Sequence, residues 1–228
     1  MRMCFLCASL LFAAVPARAC DIALVLAVDV SGSVDNTEFR IQMDGLAEGL
    51  RDPSVSEALV VGEAAIMVLQ WTGTTRQAVS IPWTQVRSFE EVDALASRIE
   101  TVNRKWRNYS TAIGEAMEFS QAQFADAPAC DRHVIDISGD GSSNEGVEPK
   151  DAAAELLAAG TTVNALVIEG AEPMLTEYFW ENVILGPGAF VITANSFDEY
   201  PKRMRMKLLR EVSKPVSNLT LPVTKQPL

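Results

Sequence analysis

Asp29, Ser31 and Ser33 stand together in the run Ala27-Val28-Asp29-Val30-Ser31-Gly32-Ser33-Val34-Asp35, directly after an apolar stretch from Ile22 to Val28. One carboxylate and two hydroxyls at alternate positions around a glycine are the small hard oxygen donors that a magnesium- or calcium-like cation takes. No nitrogen or sulfur donor lies in the run, which argues against zinc or copper there. The same letters also suit a strand-to-helix turn with Ser33 or Asp35 as N-cap. A second polar loop, from Asp136 to Gly146, carries Asp140 after another apolar segment. A third, Arg104-Lys105-Trp106-Arg107-Asn108-Tyr109-Ser110-Thr111, opens a helical pattern. Thr111 there reads as a plain N-cap or as one more hydroxyl for the same ion.

The elements that must carry these loops alternate. Ile22–Val28 is a continuous aliphatic run, the pattern of a strand buried on both faces. Strands are also expected over Glu63–Trp71, Gln77–Ile81, His133–Ile137, Thr162–Ile168 and Phe190–Thr193. Helices are expected over Asn36–Leu50, Val92–Val102 after a start at Ser88, Thr111–Phe124, Pro149–Ala159, Met174–Val183 and Phe197–Val212. Asp52-Pro53-Ser54 is expected to end the first of them. The alternation predicts an α/β fold, a doubly wound, mostly parallel sheet with helices on both faces. The hairpin over Glu63–Ile81 adds one antiparallel edge strand. In such sheets ligands bind outside the carboxyl ends of the strands, at the topological switch point. Asp140 then stands beside Asp29, and two close carboxylates repel unless a cation or a proton lies between them.

Residues 1–19 read as an export signal, with Arg2, an apolar Met3–Val15 and an Ala17-Arg18-Ala19 cleavage site. The apolar part is shorter than the roughly 20 residues of a membrane span. Cleavage after Ala19 leaves Cys20 first and implies a periplasmic or secreted protein. Lipidation of Cys20 is the competing reading, disfavoured by Arg18. The signal holds two of the 19 basic residues and no acid, so the remainder has 17 basic against 30 acidic residues, a net of −13. That charge disfavours nucleic acid and anionic membranes as partners. Of four cysteines, Cys20 and Cys130 lie beyond the signal. Cys20 precedes Asp29 by nine residues and Cys130 precedes Asp140 by ten. Neighbouring parallel strands that end at one edge would set the two sulfurs together at the other, so a disulfide is expected. Residues 20–212 form the expected domain, and 213–228 a disordered tail or linker.

The order D-x-S-x-S, then a threonine opening a helix, then an aspartate in a glycine-flanked turn resembles the von Willebrand factor type A domain and its metal-ion-dependent adhesion site. Asp29, Ser31 and Ser33 match the first element, Thr111 in Ser110-Thr111-Ala112-Ile113-Gly114-Glu115-Ala116-Met117 the second, and Asp140 in Gly139-Asp140-Gly141 the third. The resemblance implies an ion held directly by Asp29, Ser31 and Ser33, with Thr111 and Asp140 direct or through water. The usual ion is Mg²⁺, with Ca²⁺ or Mn²⁺ as substitutes. One coordination position is left for an Asp or Glu carboxylate of a partner protein. Departures are the missing leading glycines, Ile113 in place of a second threonine, and Gly139 where threonine is common. Arg104, Lys105 and Arg107 read as a solvated basic loop or as local steering for an acidic partner.

The competing class is a metal-dependent hydrolase in which the ion activates water and Asp140 or Glu145 acts as base. A Ser-His-Asp triad needs a histidine. The single one, His133, begins a strand whose far end carries Asp140, about 20 Å away. Asp136 is an acid within an apolar strand, read either as a buried support for the ion site or as an edge residue. Glu145 and Asp35 are expected in solvent.

Overall fold

The computed structural model describes residues 20–170 and 172–213; the expected signal, residues 1–19, and all but the first residue of the expected tail lie outside the described residues. Six strands form one sheet: β1 (Cys20–Asp29), β2 (Ala65–Trp71), β3 (Gln77–Gln85), β4 (Cys130–Gly139), β5 (Thr162–Ile168) and β6 (Val191–Ala194). Their order is β3-β2-β1-β4-β5-β6, with every pair parallel except β2 and β3. The doubly wound sheet with an antiparallel edge strand is thus as expected.

The aliphatic run of β1 is explained by its place at the centre. Ile22, Leu24, Leu26 and Val28 face one core layer, and Ala23, Val25 and Ala27 face the other. On the first face pack α1 (Asn36–Arg51), α2 (Pro53–Val61), α3 (Phe89–Glu100) and α7 (Tyr200–Val212). On the second pack α4 (Ile113–Gln123), α5 (Pro149–Ala158) and α6 (Leu175–Asn182). A strand covered on both faces gains apolar burial from every side chain, which alternation alone would halve.

The Asp52-Pro53-Ser54 stop marks a start as well. The Asp52 carboxylate caps α2, accepting from Ser54 N at 3.0 Å and Val55 N at 3.3 Å, and Pro53 takes the first helical turn, where its missing N–H costs nothing. The third strand runs past Ile81 through Pro82, because an edge strand need not donate from every residue.

Cys20 and Cys130 are register partners, and a disulfide joins them with Cα atoms 4.3 Å apart. It ties the two central strands at the edge opposite Asp29. The bridge closes a long loop, with a sequence separation of 110. Reduction is therefore expected to lower stability by about 2–4 kcal/mol. Urea unfolding with and without reductant measures this, and an unchanged midpoint would contradict it. Among the described residues no helix is long and apolar enough to cross a membrane.

Candidate metal centre

β1 pairs with β2 on one side and β4 on the other, so the chain leaves its carboxyl end at the switch point of the sheet. Asp29 is the last residue of β1. Val28 is level with Ser138, which brings Asp140 just beyond the end of β4 to the same place. The loop after Asp29 is fixed from several directions. Ser31 N donates to Asp29 Oδ1 at 2.7 Å, Gln42 Nε2 donates to the Asp29 carbonyl at 3.2 Å, and Gly32 N donates to the Tyr109 carbonyl at 2.8 Å. Arg104 Nη2 donates to the carbonyls of Val30 at 3.1 Å and Ser31 at 2.8 Å. Arg104 is therefore a clamp on this loop, while Lys105 and Arg107 stay exposed.

Within that frame the oxygens converge. Ser33 Oγ donates to Asp140 Oδ1 at 2.6 Å and lies 3.2 Å from Ser31 Oγ. Thr111 is buried, and its Oγ1 lies 3.8 Å from the point where a Cβ on Gly141 would sit, alongside Asp140. Thr111 is not the N-cap expected as one reading: α4 begins after Ala112, which offers no side-chain cap. The free helix end is satisfied from the Asp140 loop, where Ser143 Oγ accepts from Ile113 N at 3.2 Å. Asn144 and Thr111 pair reciprocally, Thr111 N to Asn144 Oδ1 at 3.0 Å and Asn144 N to the Thr111 carbonyl at 2.9 Å. Ile113 is wholly buried in the core, so the absent hydroxyl is replaced by packing.

Asp29 is 0% exposed and its Oδ2 has no hydrogen-bond partner. Burial first, then the Asp140 carboxylate, pushes Asp29 up to about 7, against the opposing bonds from Ser31. Burial also raises Asp140, opposed by Ser33 and reinforced by Glu38 and Glu172. Gly139 suits this crowding, since a Cβ there would sit 3.2 Å from Asp29 Oδ2. An orphaned buried carboxylate oxygen beside a second acid, in loops whose other side-chain donors are the hydroxyls of Ser31, Ser33 and Thr111, suits a hard dication. Among the described residues no group of three or more His, Cys, Asp and Glu side chains could hold a metal, so any ion here relies on hydroxyls.

Several residues fall elsewhere. Asp136 is buried but neither supports this site nor lies at an edge; it contacts Lys207 in the core. His133 stacks on Phe124 with ring centroids 4.4 Å apart. Asp35 is exposed and caps α1, in a capping box with Glu38 that leaves Ser33 free for Asp140. Glu145 is exposed and accepts from Thr74 N at 3.3 Å. Trp106 packs on the core, whereas Tyr109 is exposed with Arg76 stacked over it at 3.7 Å.

A family model described as "Protein of unknown function (DUF1194)" matches residues 19–216. The chain belongs to that family. No curated protein matches the DUF1194 sequence. Among solved structures it is similar to proximal thread matrix protein 1 from the mussel byssus, at 21% identity and a TM-score of 0.65, over 85% of this chain and 49% of that one. A second structure of that protein, with a zinc-occupied MIDAS motif, matches at 20% identity and a TM-score of 0.59, with the same coverage. A von Willebrand factor type A protein from Catenulispora acidiphila matches at 17% identity and a TM-score of 0.61, over 87% of this chain and 44% of that one. The DUF1194 chain thus spans about half the length of these structures and has the von Willebrand factor type A fold.

Four positioning residues of the DUF1194 site were not legible as such: Gln42, Arg104, Asn144 and Glu172, the last accepting from Ser142 N at 2.9 Å. Gln42 alone left a signal, an amide on the apolar face of an amphipathic helix. Gly114 is a further constraint. A Cβ there would sit 2.1 Å from the Val147 carbonyl oxygen, on the loop that carries Asn144. Alanine in a helix normally gains up to about 1 kcal/mol over glycine. Gly114→Ala is instead expected to cost about 1–3 kcal/mol by overpacking and to weaken any ion binding through Thr111. Thermal unfolding and metal titration of the variant check both effects.

Proposed function

We propose that this protein is an exported, metal-dependent binding module that captures a carboxylate of a partner protein. The ion, Mg²⁺ with Ca²⁺ or Mn²⁺ as substitutes, is held by Asp29, Ser31 and Ser33 directly and by Thr111 and Asp140 directly or through water. The observation that carries this reading is the unpartnered, buried Asp29 Oδ2 beside the Asp140 carboxylate, to which Ser33 Oγ is hydrogen-bonded. When bound, the ion supplies an electrophilic position for an incoming carboxylate. With only two acids among its ligands, its charge is not fully neutralised.

The surface beside the site suits a macromolecular ligand. An open cavity of about 390 Å³ adjoins Ser33 and Asp140 and is lined by Glu38, Ile41, Phe197 and Asp198. Its lining is part apolar and part acidic, so the captured carboxylate belongs to a segment that also places apolar and cationic side chains here. Export is supported by the Cys20–Cys130 disulfide, a bond that persists in oxidising compartments.

Capture from the native envelope tests the reading. Immobilised protein is expected to retain a partner in Mg²⁺, to release it in chelator, and to lose it when the partner's acidic residue becomes an amide. Retention that ignores chelator contradicts it, and chelator-sensitive turnover of an ester, peptide or phosphate substrate would favour the hydrolase reading instead.

A further inference from the structure

A second buried polar cluster, remote from the ion site in function, lies between β4 and α7. Asp136, Lys207 and Glu211 are each 3% exposed or less. Lys207 Nζ lies 2.5 Å from Asp136 Oδ1 and 2.5 Å from Glu211 Oε1. The two carboxylates differ in their other partners. Glu211 Oε1 receives an aligned hydrogen bond from Lys207 and another from Asn164 Nδ2 at 3.0 Å. Among the described residues Asp136 is ion-paired with Lys207 alone, and its second oxygen, Oδ2, is buried without a partner. Lys207 therefore stands between two buried carboxylates and touches both, and Glu211, the better hydrogen-bonded of the two, is placed to exchange a proton with it.

The electrostatics favour an uncharged outcome. Two carboxylates share one ammonium in an apolar layer formed by Leu26, Val134, Leu166 and Leu208. Burial raises both Asp136 and Glu211 against the opposing pull of Lys207 on each, and the proximity of Asp136 helps push Glu211 up to about 7. Each buried ion costs several kcal/mol of lost hydration. An amide in place of one ion pair removes two of those charges.

We propose that Lys207 and Asp136 become joined by a side-chain amide, an intramolecular cross-link formed by the folded protein itself. A proton passes from Lys207 to Asp136, Nζ then attacks Asp136 Cγ, and the N–C bond forms. Glu211 takes a proton from the nitrogen and returns it to the departing hydroxyl; the C–O bond breaks and water leaves. Starting from ammonium and carboxylate, one amide and one water account for every atom, no electron is transferred, and Glu211 ends unchanged. The reaction waits on folding, because the groups meet only once α7 has docked on β4. The product ties α7 to β4, which the Cys20–Cys130 disulfide already ties to β1. The last helix and the two central strands then form one covalent unit.

Peptide mapping of the purified, reduced full chain by mass spectrometry tests this. The expected result is a branched peptide that joins the Asp136 and Lys207 segments, one water lighter than their sum, with no cleavage by trypsin at Lys207. Recovery of both segments unlinked in the wild type overturns the proposal. So does a one-water loss that maps to Asp140-Gly141, where a cyclic imide has the same mass. Glu211→Gln is expected to fold, as judged by circular dichroism, and to leave the segments unlinked; a linked Glu211→Gln overturns the role given to Glu211. Should that variant not fold, the wild-type map decides alone. Chelator is expected to leave the cross-link unchanged, so the result is independent of the ion site.

Discussion

Asp29→Ala is expected to abolish divalent-ion binding while the fold persists. The carboxylate is the one group at the site with a buried oxygen free of any partner, and its loss leaves Asp140 as the single acid in the proposed ligand set. Wild-type protein should gain about 2.7 kcal/mol of stability at Mg²⁺ concentrations a hundredfold above the dissociation constant, and the variant none. Asp29→Asn is the companion experiment. It keeps an acceptor for Ser31 N, whose bond to Asp29 Oδ1 is 2.7 Å long, and removes only the charge. Calorimetric titration measures both variants. Wild-type Mg²⁺ affinity in Asp29→Asn would remove the carboxylate from the ligand set.

The second large effect is on pH dependence. Folded Asp29 keeps its proton up to about 7, whereas its ordinary value is 3.8. Between those values the folded state binds more protons than the unfolded one, so stability falls as pH rises. With respect to this group the metal-free protein is expected to be most stable below its ordinary value of 3.8 and to lose up to about 4 kcal/mol by pH 7. Other carboxylates are held below their ordinary range in the folded state: Asp52 by the Arg205 guanidinium, Glu100 by Arg51. They contribute the opposite slope at lower pH, and Asp29→Asn isolates the Asp29 contribution as a difference. Saturating Mg²⁺ should reverse the trend above pH 5, because the ion displaces the proton and binds tighter as the carboxylate ionises. Denaturant titrations from pH 4 to 8, with and without Mg²⁺, read both slopes. Identical curves for wild type and Asp29→Asn in chelator would contradict the burial argument.

Much of the fold was legible because its central elements obey simple patterns. β1 is apolar at every position from Ile22 to Val28, and a strand buried on both faces has no other signature. The Asp29, Ser31 and Ser33 spacing then falls at its carboxyl end, and the paired offsets of Cys20 and Cys130 placed the disulfide. What was not legible depends on contacts between distant segments. Nothing in Asn144 says that it holds Thr111, or in Arg104 that it grips the carbonyls of Val30 and Ser31. Pro53 read as a stop because a proline after an aspartate both ends one helix and starts another. Thr111 reads as an N-cap only if its helix caps itself, whereas Ser143 of another loop does so.

The buried triad had a signal that only becomes clear once α7 is known to be a core helix. Tyr200, Met204, Lys207, Leu208 and Glu211 lie on one helical stripe and are buried, while Lys202 and Arg205 lie off it. A lysine and a glutamate at four residues' spacing on the apolar stripe are not a solvated pair. Their partner Asp136 is an acid inside an apolar strand, and only the pairing of β4 under α7 unites the three.

The central claim is that five side chains from three separate loops share one dication. Crystals grown with Mn²⁺ and measured at the manganese absorption edge test it most directly. The expected result is one anomalous peak within coordination distance of Ser31 and Ser33 hydroxyls, with Asp29, Thr111 and Asp140 around it, lost in Asp29→Ala. Ordered Asp29, Ser33 and Asp140 in a manganese-soaked crystal without a peak between them would contradict the account.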